Sequence, residues 1–147
     1  MKTIQLITYT CILLLLATGI INAQNYKAPK IDASGNVTDE HGKHLGTVTN
    51  NGVITDAQGQ TVGHIDSEGT LLDKDGKKIG KAEKNGNYLP HYSETPDKGW
   101  TTDAPMNGTC LVKDANGHVK AEVHENYKQF GACAVHCLTM KHHEHKK

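Results

Sequence analysis

The chain has 147 residues, with sixteen Lys, no Arg and sixteen acidic residues, and so carries no net charge. One Trp, one Phe and five Tyr supply little aromatic mass for a large core, and fifteen Gly point to a turn-rich chain rather than a helical one. The length allows one small domain or a domain plus a tail, and the missing Arg fork argues against nucleic-acid binding.

Residues 1–23 read as a removable export signal. Lys2 gives the positive start, Ile12 to Ile21 the apolar run, and Ile21-Asn22-Ala23 a cleavage site before Gln24. As a membrane anchor the run is short, and no basic stop-transfer cluster follows it. Cys11 is no lipoprotein cysteine, because Tyr9-Thr10 precedes it and the apolar run lies behind it. The expected location of the mature chain is periplasmic or extracellular, without an integral membrane segment, in a compartment that permits disulfides.

Residues 24–89 hold an internal repeat with a period of seventeen. Gly35, Gly52, Gly69 and Gly86 keep it, as do Gly42/Gly59/Gly76, Gly46/Gly63/Gly80 and Asp39/Asp56/Asp73. Apolar columns follow: Val37/Ile54/Leu71, Leu45/Val62/Ile79 and Val48/Ile65/Ala82. Within each unit, Asp can accept hydrogen bonds from the backbone ahead of it and Gly closes the turn, which predicts two short strands joined by tight turns. Gly46 and its copies sit between apolar residues three apart, predicting a bulge or a close backbone approach. About three buried apolar side chains, each worth roughly 1.5–3 kcal/mol, cannot offset backbone ordering of about 1–2 kcal/mol per residue. The units must therefore stack or close around a shared core. Ile31 starts a partial unit one period before Val48. Val112-Lys113-Asp114-Ala115-Asn116-Gly117 is an out-of-phase copy that would close a ring or cap a stack. The expected fold is all-β.

The pattern G-x-(V/I)-x-D-x-x-G-x-x-(L/I)-G-x-(V/I) behind a signal peptide resembles the five-fold β-flower proteins of bacteria, over about residues 28–90 and, with the degenerate unit, to 123. The resemblance implies a small exported all-β protein with hairpin units around a central axis. It implies no enzymatic activity and carries over no catalytic residues.

A calcium ring from Asp39, Asp56 and Asp73 is disfavoured. A calcium loop needs oxygen ligands in close succession, and only Asp73-Lys74-Asp75-Gly76 approaches one, with Lys74 among the ligands. Residues 90–109 carry Pro90, Pro96 and Pro105 without periodicity and read as a connecting arm that Trp100 can pin onto the β region.

Residues 110–140 form a degenerate repeat and a closing segment that holds Cys110, Cys133 and Cys137, and residues 141–147 form a His-rich tail. On a helix, Cys133, His136, Cys137 and Met140 fall at i, i+3, i+4 and i+7 on one face. Thiolate, imidazole and thioether suit Cu(I), and the first two suit Zn²⁺. His142, His143 and His145 would act as a weaker collecting arm. On a strand the same cysteines lie about 13 Å apart and cannot bond to each other. The competing reading is one disulfide from Cys110 to Cys133 or Cys137, or simply buried thiols, with His136 unremarkable. Asn36-Val37-Thr38 and Asn107-Gly108-Thr109 match glycosylation acceptors, a pattern that also arises by chance.

No hydrolase, P-loop or dinucleotide motif is present, and Cys137 as a nucleophile lacks a local signature. The sequence therefore points to an exported, non-enzymatic β-repeat binding or structural protein whose Cys/His-rich C-terminus holds Cu or Zn. The alternative is a purely structural or adhesive envelope protein with no metal role, whose protein or envelope partner the residues do not identify.

Overall fold

The structure, a computed structural model, describes residues 27–90 and 99–140. The expected export signal and the His-rich tail lie outside the described residues.

Each seventeen-residue unit forms two strands. The first strands are β2 (Asn36–Thr38), β4 (Val53–Asp56), β6 (Thr70–Asp73) and β8 (Tyr88–Pro90). The second strands are β3 (His44–Val48), β5 (Thr61–Ile65) and β7 (Lys78–Ala82), with β1 (Lys30–Ile31) as the partial copy in front. The Asp turn between paired strands is built as its residues require. Asp39 Oδ1 accepts from the backbone N–H of His41 (2.8 Å) and of Lys43 (2.9 Å), and Asp56 and Asp73 make the same two bonds one and two periods later. The turn glycine then takes the left-handed conformation, with φ 79° at Gly59.

The expected bulge is present in every unit. Val37 lies opposite Gly46 but Thr38 opposite His44, which leaves Leu45 extra; Val62 and Ile79 are the extra residues in the next two units. The degenerate unit repeats the geometry. In β10 (Thr109–Lys113) and β11 (Val119–His124), Val112 faces Ala121 and Lys113 faces Val119, so Lys120 is extra.

The eleven strands form one sheet, in the order β8-β7-β6-β5-β4-β3-β2-β1-β11-β10-β9, where β9 is Thr101–Thr102. Its two outer strands meet. Tyr88 N–H donates to the Trp100 carbonyl (2.9 Å), and Trp100 N–H donates to the Tyr88 carbonyl (2.8 Å). Thr102 adds Oγ1–H to the Gly86 carbonyl (2.6 Å) and its N–H to Asn87 Oδ1 (3.0 Å). Sequential neighbours are antiparallel, and an odd number of strands in a ring forces one parallel pair. That pair is β1 with β11, with Ile31 beside Val123. The repeats thus close around a shared core, and the degenerate unit completes the ring. The aperiodic arm from 90 to 109 contributes a strand, β9, because Trp100 to Thr102 borrow their pairing from β8 and β10.

After β11 the chain makes a short 3-10 turn, Glu125–Tyr127, capped by His124 Nδ1, and enters the helix α1 (Lys128–Met140). Gly131, Ala132, Cys133, Ala134 and Val135 are consecutive and all buried. Five consecutive residues cover the whole circumference of a helix, so α1 is enclosed on every side at this point. It packs against β3, β4, β5, β7 and β11. The helix fills the barrel.

The glycine column explains how it fits. A Cβ on Gly46 would lie 3.0 Å from Leu138 Cδ2, one on Gly63 2.9 Å from Cys137 Sγ, and one on Gly80 2.8 Å from Tyr88 Cζ. On β11 the small residue has moved to the helix: a Cβ on Gly131 would lie 2.7 Å from Val123 Cγ2. The core comprises the repeat columns Val37/Ile54/Leu71/Tyr88 and Ile31/Val48/Ile65/Ala82 together with α1. Among the described residues no polar or charged residue is buried.

Candidate functional site

Of the chemistry-bearing residues of α1, His136 lies at the seam of the barrel. Tyr88 occupies the fourth position of the Val37/Ile54/Leu71 column, where its ring fills the space left by Gly80 and its hydroxyl donates to the Ile79 carbonyl (3.3 Å). The His136 ring stacks at a tilt on Tyr88, with centroids 4.7 Å apart, and meets Trp100 nearly edge-on at 5.6 Å. Tyr88 and Trp100 meet edge-to-face at 5.8 Å. The two residues whose backbones close the ring therefore also clasp the helix through His136.

Burial sets the protonation states. It pushes the Cys133 thiol well above the ordinary range, with Cys137 beside it adding to the effect. Tyr88 is pushed up by burial and by the proximity of Cys133 and Cys137. Burial also raises Cys110 and lowers His136. Cys110, Cys133 and Cys137 are buried thiols, not joined in the disulfide weighed from the sequence. A thiol held protonated is neither a good nucleophile nor a metal ligand, since the thiolate does both. His136, by contrast, is a neutral imidazole at neutral pH.

Of the predicted metal set, the structure puts Cys133, His136 and Cys137 on one helix, with Met140 its last residue. Helical geometry applies here, and the strand alternative does not. Among the described residues no three His, Cys, Asp or Glu side chains converge as a metal group. His142, His143 and His145 lie outside the described residues. Asp39, Asp56 and Asp73 spend their carboxylates on the turns, and Asp75 pairs with Lys74 Nζ at 2.7 Å. Hydrogen bonds from the backbone hold Asp39 and Asp73 below the usual carboxylate range, led by those from Lys43 and Lys77.

Sequence reasoning missed Tyr88 as a core residue. The signal was available, since 88 is one period after Leu71, but an aromatic in an aliphatic column does not announce itself. Trp100 pins the arm to the β region as expected, through its backbone as well as its ring.

Residues 27–87 match the model of a family described as a protein of unknown function (DUF3659). The match covers the repeats up to the residue before Tyr88 and stops short of β10, β11 and α1. No curated protein and no solved structure matches the chain. Among the described residues no helix is long and apolar enough to cross a membrane.

Proposed function

We propose that the chain is an exported, non-enzymatic structural or binding module whose partners meet its outer surface. One observation carries the reading: the space inside the ring is taken by the chain's own helix, packed through apolar side chains. A barrel that holds a small ligand keeps its interior for that ligand. Here Leu138, Cys137 and Tyr88 fill the hollows that the glycine column leaves. The protonated state of Cys133 further supports a packing role for the cysteines over a nucleophilic one.

In this reading Cys133 and Cys137 serve the core, and metal capacity is left to the tail histidines His142, His143 and His145. The resemblance to β-flower proteins draws support from four antiparallel strand pairs, β2–β3, β4–β5, β6–β7 and β10–β11, and from the antiparallel bridge of β8 to Trp100, that follow the lone β1.

Two measurements test the proposal. Full-length chain expressed in a bacterial host should yield a mature species beginning at Gln24 outside the cytoplasm; an unprocessed cytoplasmic product would sink the export claim. Untagged protein titrated with Zn²⁺ or Cu(I) should lose its uptake when residues 141–147 are deleted. It should keep that uptake when Cys133 and Cys137 are both changed to Ser. Loss of a tight site in the Cys133→Ser, Cys137→Ser protein would restore the cysteine metal centre.

A further inference from the structure

Among the described residues, one residue other than glycine holds the left-handed conformation: Asn107, with φ 51°. Met106 and Thr109 bridge it on either side, each N–H donating to the other's carbonyl (2.8 and 3.1 Å), and Gly108 follows with φ 79°. Asn107-Gly108 is thus the two-residue loop of a hairpin, with both central residues left-handed as a type I′ turn demands. Asn107 is exposed and Gly108 half-buried. Among the described residues neither the Gly108 N–H nor the Asn107 side chain has a hydrogen-bond partner.

The sequence holds three more Asn-Gly pairs, and the fold treats them differently. At Asn51-Gly52, Asn85-Gly86 and Asn116-Gly117 the glycine N–H closes a turn, donating to the carbonyls of Thr49 (3.0 Å), Glu83 (2.9 Å) and Asp114 (2.9 Å). Gly52 and Gly86 are buried as well, and Asn85 Oδ1 accepts from the Asn87 N–H (2.9 Å). Asn116 is exposed like Asn107, so the bond from Gly117 to Asp114 is what sets that pair apart.

We propose that Asn107 is a site of spontaneous deamidation, ageing to aspartate and isoaspartate ahead of the other Asn-Gly pairs of the folded chain. This holds whatever the outer surface binds. Gly108 N loses its proton to hydroxide and bonds to Asn107 Cγ, and the side-chain nitrogen leaves as ammonia, taking a proton from water. Water then opens the five-membered imide at either carbonyl, giving aspartate or isoaspartate. Glycine leaves the attacking nitrogen unshielded. The attack also needs the Asn107–Gly108 peptide plane to rotate. A two-residue loop can flip that plane, from type I′ to type II′, with both Met106–Thr109 bonds kept. At the three other pairs the same rotation breaks the turn bond of the glycine. The change falls at the entry to the helix, since the Gly108 carbonyl receives the Glu125 N–H (2.9 Å).

The experiment follows deamidation by peptide mass spectrometry of the mature chain, incubated folded in warm, mildly alkaline buffer and in parallel in denaturant. In denaturant the four pairs should convert at similar rates. In the folded chain Asn107 should lead Asn116 by about two- to tenfold, the ratio that the net worth of one hydrogen bond sets. Its lead over Asn51 and Asn85 should be larger. Part of the product should be isoaspartate, read by labelling with an isoaspartyl methyltransferase. Equal rates at the four pairs of the folded chain, or an Asn107 lead that persists unchanged in denaturant, overturn the proposal. A product without isoaspartate overturns the imide route.

Discussion

The sulfur of Cys137 occupies the space that a side chain at residue 63 would need, with Sγ 2.9 Å from the position of a Cβ there. Strand β5 and the helix are therefore matched atom to atom, through a hydrogen on one side and a thiol on the other. Gly63→Ala should destabilise the protein by about 1–3 kcal/mol through overpacking. Cys137→Ala leaves a cavity, but combined with Gly63→Ala it should restore part of the loss. Chemical denaturation of the two single variants and the double checks this; additive effects would mean the contact is not tight.

Gly59 makes the opposite case. A Cβ there meets nothing within 4 Å, so the position is reserved for Gly by its φ of 79° alone. Gly59→Val should lower stability by about 1–2 kcal/mol, because a β-branched residue resists the left-handed region. Gly59→Asn should cost less, since Asn tolerates that region. Equal melting temperatures for the two variants would show that conformational strain is not the cause.

Much of the ring was legible because the seventeen-residue period writes the same demands three times. The Asp turns, the bulge before Gly46 and its copies, and the apolar columns all follow from residue chemistry that is local. The closing hairpin was legible from Val112 to Gly117 for the same reason. What the period could not carry was the destination of α1. The glycine column announces a close approach but not by what, and Leu138 and Cys137 lie far away in sequence. Helix placement depends on shape complementarity between one unrepeated segment and the inside of a closed ring. The metal reading meets the same limit: i, i+3, i+4 spacing aligns Cys133, His136 and Cys137 on a face without saying that the helix is enclosed in apolar side chains.

The turn carboxylates predict an acid transition of their own. Backbone hydrogen bonds, led by those from Lys43, Thr70 and Lys77, hold Asp39, Asp66 and Asp73 below their unfolded value. A lowered folded value means that their contribution is present above about pH 3.9 and disappears as pH falls through the folded value. Asn keeps the accepting oxygen and cannot titrate. The triple variant Asp39→Asn, Asp66→Asn, Asp73→Asn should therefore melt with a flatter pH dependence below about pH 5 than the native chain. Parallel profiles would show that these turns carry no linked protons.

Trp100 is the only Trp in the chain and stands at the seam, so its fluorescence reports closure directly. If the ring and the helix form one cooperative unit, Trp fluorescence and far-UV circular dichroism should share one thermal midpoint at pH 7. Trp100→Ala removes the edge contacts with Tyr88 and His136 but leaves the two backbone bonds of the seam in place. The ring is only partly buried, so the loss should fall near the low end for Trp truncation, about 3 kcal/mol. Trp100→Phe keeps an aromatic edge there and should recover at least about 1 kcal/mol of it. The Cys133 thiol of the truncated protein should also react faster with a thiol reagent at neutral pH, because the helix has lost half of its clasp. A Trp100→Ala protein as stable as the native chain, with Cys133 still protected, would show that the backbone bridge alone closes the ring.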